Sequence, residues 1–550
     1  VIQQLLGDMM LNYVGVKNAD IDISTIKKAQ ASTFSSRNNN FEIYGLTVRQ
    51  DEERPIHLDK FIMTLHNFEN VLNDGRYRIA FDSIGFEDDV INLNKFSFKE
   101  YDKGRPVKVL AMPTFRVRGL SWESLLYDNI FSAQSAEFFS PVVDYTRNGK
   151  RKRKRSRNLF ETLNSIDDVM DLKNLRIHDG NIVFRFGSGA TLSLSNTNLD
   201  LRANDLTSAN KMKSVQRSVN VLSFDKGIFK KNDLTVHLNK VALSENKSGL
   251  KAEGLLLQSS NLKANAANIH LGDIVLDSAR QSLTVNGVSW SRANITADKA
   301  GTARQHNGDK AGKAKTSLIL RDIKGNHTDI NLTIRQNKLT GYFNTIIVNE
   351  FASPVAGKPE IKGLGFDGRD FSFSGPDMHA SIAEMSITDR NNSVLKDIRF
   401  EKLNPIDSII AAVPRLTIIP DITEIAAGNL TLQDIVLTNP VIKAKLGKKE
   451  KAAPDTKKKE TAINIGSALF ERPDIKLTLI NKDNAASYIN WDGVQLNSYL
   501  KLTHLTSAPE IPVKADQVKM FLTNFEFISA KGKRTATNDN KLNLEFNNVL

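Results

Sequence analysis

Cysteine is absent from all 550 positions. A disulfide framework, a thiolate metal site, a CxxC redox centre and a cysteine nucleophile are therefore excluded. Such a chain suits a bacterial envelope compartment, where a stray thiol would be mis-oxidised. No apolar run approaches the ~18–20 residues of a membrane-spanning helix, so a signal or anchor is expected outside the chain, ahead of Val1. Catalytic signatures are missing as well: there is no GxSxG elbow, Walker loop or EF-hand loop. The nine histidines are scattered, without HxxxH or HExxH spacing, so no metal or other cofactor is expected. Tryptophan and tyrosine are sparse (3 and 9) beside 28 phenylalanines, an aromatic set suited to a dry surface.

The charge looks like a statement about partners and is not one. Lys+Arg is 75 and Asp+Glu 62, a net of +13. Seven basic residues lie between Lys150 and Arg157, and eight lysines against two acids lie between Lys443 and Lys459. These two runs carry the whole excess, and the remaining body is balanced. Neither run has interleaved aromatics or a nucleic-acid reading module around it. Flexible solvated linkers are expected there, with anionic headgroups as the other partner and no nucleic acid.

What is present in quantity is period-two alternation. Leu234, Val236 and Leu238, then Ile330, Leu332 and Ile334, and Leu542, Leu544 and Phe546 alternate with more polar residues, the pattern of strands with one apolar face. Helical periodicity is confined to 1–14, 159–170 and 405–413, with a weak trace at 463–470. A unit recurs along the chain: apolar-x-apolar, two non-apolar residues, apolar-x-apolar. It occurs at Ile91–Phe98, Val236–Leu243, Leu283–Trp290, Leu430–Leu437, Ile489–Leu496 and elsewhere. Its central pair is either a two-residue hairpin turn, for which Asn286-Gly287 and Asp492-Gly493 are the strongest signals, or a bulge restoring phase within one strand. Gly363, Gly365 and Gly368 spell GxGxxG, but an alternating strand pattern follows, so a bulged strand is expected instead of a dinucleotide loop. Glu87, Asp88 and Asp89 read as a solvated turn.

A longer repeat overlays the short one. AEFFSPVVDY (136–145) and DIVLTNPVIKA (434–444) both lead through a proline towards a basic run, and Pro141 and Pro440 are 299 apart. Pro113 and Pro414 are 301 apart, and Phe98 and Phe400 are 302 apart. The expected organisation is a duplicated module of about 300 residues. It divides as 1–149 and 159–300 around a linker at 150–158, then 301–446 and 461–550 around a linker at 447–460, the second copy being truncated.

LTLQDIVLTNPVIKAKL (430–446) with the Lys/Pro/Ala-rich break after it resembles the AsmA-like proteins of Gram-negative envelopes. The order of an N-terminal helix, FEIYGLTV (41–48) and IHLDKFIMTL (56–65) is similar to theirs too. Those proteins are similar in kind to the bridge-like lipid-transfer proteins. The resemblance implies a long β-sheet curled into an apolar groove, an N-terminal inner-membrane helix and a periplasmic body.

The expected fold is thus mainly β: a long curved antiparallel sheet forming an elongated apolar groove, with a few short helices and internal duplication. The expected function is non-enzymatic: binding of phospholipid or another acyl lipid, in support of lipid transport or outer-membrane assembly. Headgroups would stay in solvent. Groove candidates are Ile91, Leu93, Phe96, Phe98, Val236, Leu238, Leu283, Val285, Trp290, Leu430, Leu432, Ile435, Leu437 and Trp491. The alternatives are an exported structural or adhesive β-repeat protein and a polysaccharide-acting enzyme on a β scaffold, which would need a carboxylate pair in a cleft.

Overall fold

The computed structural model describes residues 8–549 apart from 28–29, 50–51, 53–54, 73–74, 103, 122–123, 125–130, 147–169, 187–188, 203–212, 215–218, 245–247, 278–281, 300–316, 354–359, 405–406, 428, 448–461, 482–484, 495–496, 509–510 and 538–541. The linker at 150–158, Trp122 and nearly all of the 159–170 segment lie outside the described residues, as does 448–460 of the second linker. What is described is almost entirely strand. It forms two compact units, one of residues 1–260 with 268–285, the other of 261–267 with 286–550.

In each unit the chain runs back and forth, and most strands pair with strands close to them in the run, the quasi-one-dimensional organisation of repeat proteins. Unit 1 opens with Met9–Lys27 antiparallel to Gln30–Val48, then Lys60–Leu72, Tyr77–Glu87, Val90–Asp102 and Arg105–Arg118. Unit 2 has a comparable meander through Ser317–Ile334, Asn337–Ser353, Glu360–Ser374, Met378–Thr388, Ser393–Leu403 and Ser408–Pro420. Hairpins close on tight turns, as at Asp88-Asp89 between the paired Glu87 and Val90. Asp88 takes the left-handed backbone there, with φ +52°, which Asp tolerates better than most residues.

Three helical expectations are corrected. The part of 1–14 that is described begins the strand Met9–Lys27, Ser408–Pro420 occupies most of 405–413, and Ile463–Glu471 replaces 463–470. Each segment has apolar residues at helical spacing, but each also completes a ladder of cross-strand hydrogen bonds, and tertiary pairing overrides so weak a local preference. The one helix among the described residues is Ile422–Ala427.

The central pair of the short repeat is a kink inside a strand and not a turn. Ser282–Asn286 pairs with Ile274–Asp277 instead of folding back on Val288–Trp290, and Gly287 (φ +73°) donates its N–H to Arg321. Likewise Ala486–Asp492 and Tyr499–Ala508 run on in one direction, against Asp474–Ile480 and then Ile463–Glu471. Gly493 donates to the Pro473 carbonyl between them. The physical cause is phase. One left-handed residue inside a strand rotates the chain so that apolar residues three apart share a face.

These kinks line up from strand to strand. In unit 1, Asn67 lies opposite Asp82, and Lys95 opposite Pro113; Ser140, Asp179, Asn196 and Lys240 continue the line. Asn67, Lys95, Ser140, Asp179, Asn196 and Lys240 all have φ between +45° and +52°. In unit 2 the line runs through Asp370, Asp397, Pro414, Asn439, Arg472, Asn497 and Asn524. Because facing strands carry their extra residue at the same level, the ladder resumes in register on both sides.

The same connection occurs at corresponding places of the two units; unit 2 has a further parallel pairing, of Val288–Trp290 and Arg292–Lys299 with Ser317–Ile334. Arg105–Arg118 is antiparallel to Phe131–Phe139 and to Val142–Thr146, and both of these pair in parallel with Met170–Arg185. Ser408–Pro420 is antiparallel to Leu430–Thr438 and to Val441–Leu446, which pair in parallel with Ile463–Glu471 and Asp474–Ile480. A parallel pair needs a crossover connection, and the basic runs fall in those two connections. Pro141 and Pro440, at the kinks, are fully buried.

Candidate functional site: an apolar sheet face

Residues directly opposite one another across paired strands share a face, so the pairings can be read as rows. In unit 1 one row is Val16, Phe41, Met63, Phe86, Ile91, Val117, Ala136, Leu175, Leu201 and Val219. Ten strands contribute, every residue is apolar, and nine strand spacings make the row about 43 Å long. Two residues along lies Leu65, Ile84, Leu93, Phe115, Phe138, Ile177, Leu199 and Leu222. Beyond the kink line, Ile79, Phe98, Leu110, Val143, Ile182, Leu194, Gly227, Leu238 and Leu255 form a further row.

Unit 2 has its own set. Met385, Leu395, Leu416, Leu437, Phe470, Leu500, Met520 and Leu544 lie in one row. Across the kink, Leu332, Leu339, Phe373, Ala380, Phe400, Ala411, Ile442, Ile475, Trp491 and Phe525 lie in another.

The groove candidates fall on these rows to different degrees. Ile91, Leu93 and Phe98 come together in unit 1; Phe96 pairs with Met112, and Leu238 joins the row of Phe98 with Val236 beside it, opposite Phe229 and Leu257. Leu283 and Val285 pair with Leu276 and Ile274 in a separate short ladder. In unit 2, Leu430, Leu432, Ile435 and Leu437 pair with Ile463, Ile465, Ala468 and Phe470. Leu430 lies at the strand start and is exposed. Trp290 sits opposite Gly325, which leaves room for its ring, and donates its indole N–H to the Thr328 hydroxyl at 2.9 Å. Trp491 is buried between Ile475 and Phe525, its own N–H without a hydrogen-bond partner among the described residues.

Burial on this face is uneven. Two hydrophobic clusters are packed: Phe86, Val117, Leu120, Ala133 and Ala136 in unit 1, and Leu432, Ile465 and Ala468 in unit 2. Both consist of near neighbours on adjacent strands. Most other row residues, among them Phe41, Phe98, Leu199, Leu238, Leu339, Phe373, Phe400 and Ile442, stay half-exposed. An inner face of two packed sheets would be sealed; these rows are not.

The opposite face is a lattice of ion pairs. Arg176 bridges Glu137 (2.8 Å) and Asp200 (3.2 Å), Glu350 receives Arg321 (3.0 Å) and Lys362 (2.9 Å), and Glu384 pairs with Lys396 (2.8 Å). The hydrogen bond from Lys362, seconded by that from Arg321, holds the Glu350 carboxyl below the usual carboxylate range, and Lys396 does the same for Glu384. Cross-strand pairs of opposite charge fix register and keep this side wet.

Among the described residues, no group of three His, Asp or Glu is placed to hold a metal. Gly363, Gly365 and Gly368 lie inside one strand, Glu360–Ser374, and the Phe371 ring packs against Gly341 and Gly368. Gly368 therefore serves close packing, while Gly363 takes the left-handed backbone of a strand kink (φ +63°). Alternation did not single out Glu100, Lys108, Arg76, Tyr77 and Tyr145, a charged group at the end of the unit 1 rows. The signal was available: Glu100 continues the phase of Phe96 and Phe98. Neither protein-family models nor curated proteins give a match to this chain.

Proposed function

We propose that this chain is a non-enzymatic lipid carrier of the bacterial envelope, similar to the AsmA-like proteins, whose apolar sheet face receives acyl chains. The observation that carries this reading is the half-exposed set of apolar rows, backed by cross-strand ion pairs on the other face. A sheet so divided needs an apolar occupant. A row of about 43 Å exceeds the ~15 Å of one leaflet's hydrocarbon, so several acyl chains fit along it. The rows are formed by aliphatic and Phe side chains with few polar atoms, which suits acyl chains better than a sugar or peptide.

In this reading the kink lines crease each sheet into a groove, since bulges bend strands and increase their twist. The two units descend from one duplicated module. In support, Lys95 and Asp397, Ser140 and Asn439, and Asn196 and Asn497 are left-handed kink residues at offsets of 302, 299 and 301. Each unit also has the same parallel crossover. The protein would act in the periplasm, held at the inner membrane by the helix its resemblance implies, supporting phospholipid transport or outer-membrane assembly.

The test is native mass spectrometry of the chain purified from a Gram-negative host. Phospholipid is expected to co-purify. Leu437→Asp and Leu199→Asp, each placing a charge on the face, are expected to lower bound lipid several-fold, while Lys501→Asp on the other face leaves it unchanged. A folded wild-type chain without lipid, or equal lipid in all variants, would refute the proposal.

A further inference from the structure

Glu100 stands where the apolar pattern should continue. It follows Phe96 and Phe98 at the same phase, and its row reads Tyr77, Glu100, Lys108, Tyr145, Phe184, Leu192, Phe229 and Val236. The residue is 8% exposed. Its carboxylate meets Lys108 Nζ at 2.5 Å and an Arg76 guanidinium nitrogen at 3.1 Å. The acid is inside and the cations are outside: side-chain exposure is 10% for Glu100, 36% for Lys108 and 49% for Arg76. Arg76 lies over the Tyr77 ring (5.2 Å) and Lys108 over the Tyr145 ring (5.4 Å). Tyr77 in turn stacks near Phe98, and Tyr145 sits beside Phe184. The cluster thus adjoins the apolar rows at the strand-end rim, beside the turn joining Val90–Asp102 to Arg105–Arg118.

We propose that Arg76 and Lys108, positioned by Glu100, form a receiving site for the phosphate of an acyl lipid whose chains lie along the adjoining rows. The inference rests on the acyl-lipid reading and adds a headgroup contact to it. Two cations share one buried carboxylate, leaving a local excess of one positive charge. A guanidinium has five N–H donors and an ammonium three, and Glu100 engages only part of that set. Asp102, also near Arg76, is exposed at the turn, where solvent and salt screen it. The two rings supply the amphipathic border found where an apolar body meets water. The hydrogen bond from Lys108, joined by that from Arg76, holds the Glu100 carboxyl below the usual range, so the cations stay fixed through neutral pH. The row after the kink in unit 2 runs Met378, Lys402, Ile409, Ala444, Leu477 and Ile489. It has one cation and no buried acid, so the site belongs to unit 1.

The experiment compares binding of short-chain phosphatidic acid, diacylglycerol of the same chain length and inorganic phosphate to the full chain. Charge-assisted hydrogen bonds of ~1.5–3 kcal/mol predict a preference of about 10- to 100-fold for phosphatidic acid over diacylglycerol. The triple variant Arg76→Gln, Glu100→Gln, Lys108→Met removes the charges without stranding a buried one. It is expected to bring the two lipids within about two-fold by losing phosphatidic acid affinity alone. Should it fail to fold, Arg76→Gln alone serves, with a preference reduced at least ~3-fold. An unchanged preference in the folded variant overturns the proposal. Inorganic phosphate binding as tightly as phosphatidic acid also overturns it, since the site would then take a free anion. Binding of neither lipid to the wild type refutes the acyl-lipid reading itself, whereas equal binding of both refutes only the phosphate site.

Discussion

The ammonium of Lys95 lies 2.5 Å from the carboxylate of Asp82, on neighbouring strands and at the level where both depart from the regular pleat. Lys95 has φ +48°, an unfavoured conformation for lysine. The distortion keeps Ile91, Leu93, Phe96 and Phe98 on one face. Lys95→Val, whose branched side chain disfavours a positive φ, should strain the kink and cost ~1–3 kcal/mol, whereas Lys95→Gly, which adopts that conformation freely, should destabilise by no more than ~0.5 kcal/mol. Urea unfolding measures both. A valine variant as stable as the glycine variant would show that the left-handed conformation is not what residue 95 supplies.

Trp491 separates shape from polarity. Its ring fills a place between Ile475 and Phe525, and its N–H is buried without an acceptor among the described residues. Trp491→Phe removes the unpaired donor and part of the ring volume while keeping an aromatic ring in place, so the two effects oppose and stability should change by less than ~1 kcal/mol. Trp491→Ala leaves a cavity and should cost ~3–5 kcal/mol. Equal effects from the two in denaturant titrations would contradict this account.

Gly325 offers a spectroscopic test. A methyl group there would strike the Trp290 indole and part it from the Thr328 hydroxyl. Gly325→Ala is expected to destabilise by ~1–3 kcal/mol and to shift Trp290 emission, read in a chain whose other two tryptophans are changed to Phe. Unaltered emission would place the indole elsewhere.

Acid should weaken unit 1 through Glu100. Its folded pKa is depressed by Lys108 and Arg76, so it binds protons more weakly folded than unfolded. The stability it contributes is fully present above the unfolded value of about 4.3 and is lost as pH falls through the depressed folded value. In Glu100→Gln the pH dependence of unfolding below about 4.5 should be shallower than in the wild type. An identical slope would assign acid sensitivity to other carboxylates, such as Glu350.

Much of this organisation was legible in the chain itself. Alternation at Leu234–Leu238 and Ile330–Ile334 marks strands because side chains on a pleat change face at every residue. Two polar residues in mid-pattern, as at Asn94-Lys95, mark a change of phase, but turn and bulge satisfy the same spacing. Asn286-Gly287 shows the ambiguity: its composition is that of a hairpin, and its neighbours' pairing makes it a kink. The helical expectations over 405–413 and 463–470 failed for a related reason. Local propensity amounts to tenths of a kcal/mol per residue, less than a place in a ladder. Glu100 was missed because a charged residue ends an apolar pattern on paper, whether it leaves the face or remains on it.

By itself the sequence determined the strand content, the one-sided apolarity, the neutral body with two basic insertions and the spacing near 300. All of these follow from residue order and the two-residue period of a strand. Only the tertiary structure decided which strands are neighbours, that kinks align across each sheet and that Arg76, Glu100 and Lys108 meet. Those facts depend on hydrogen bonds between segments distant in the chain, whose register no local pattern encodes.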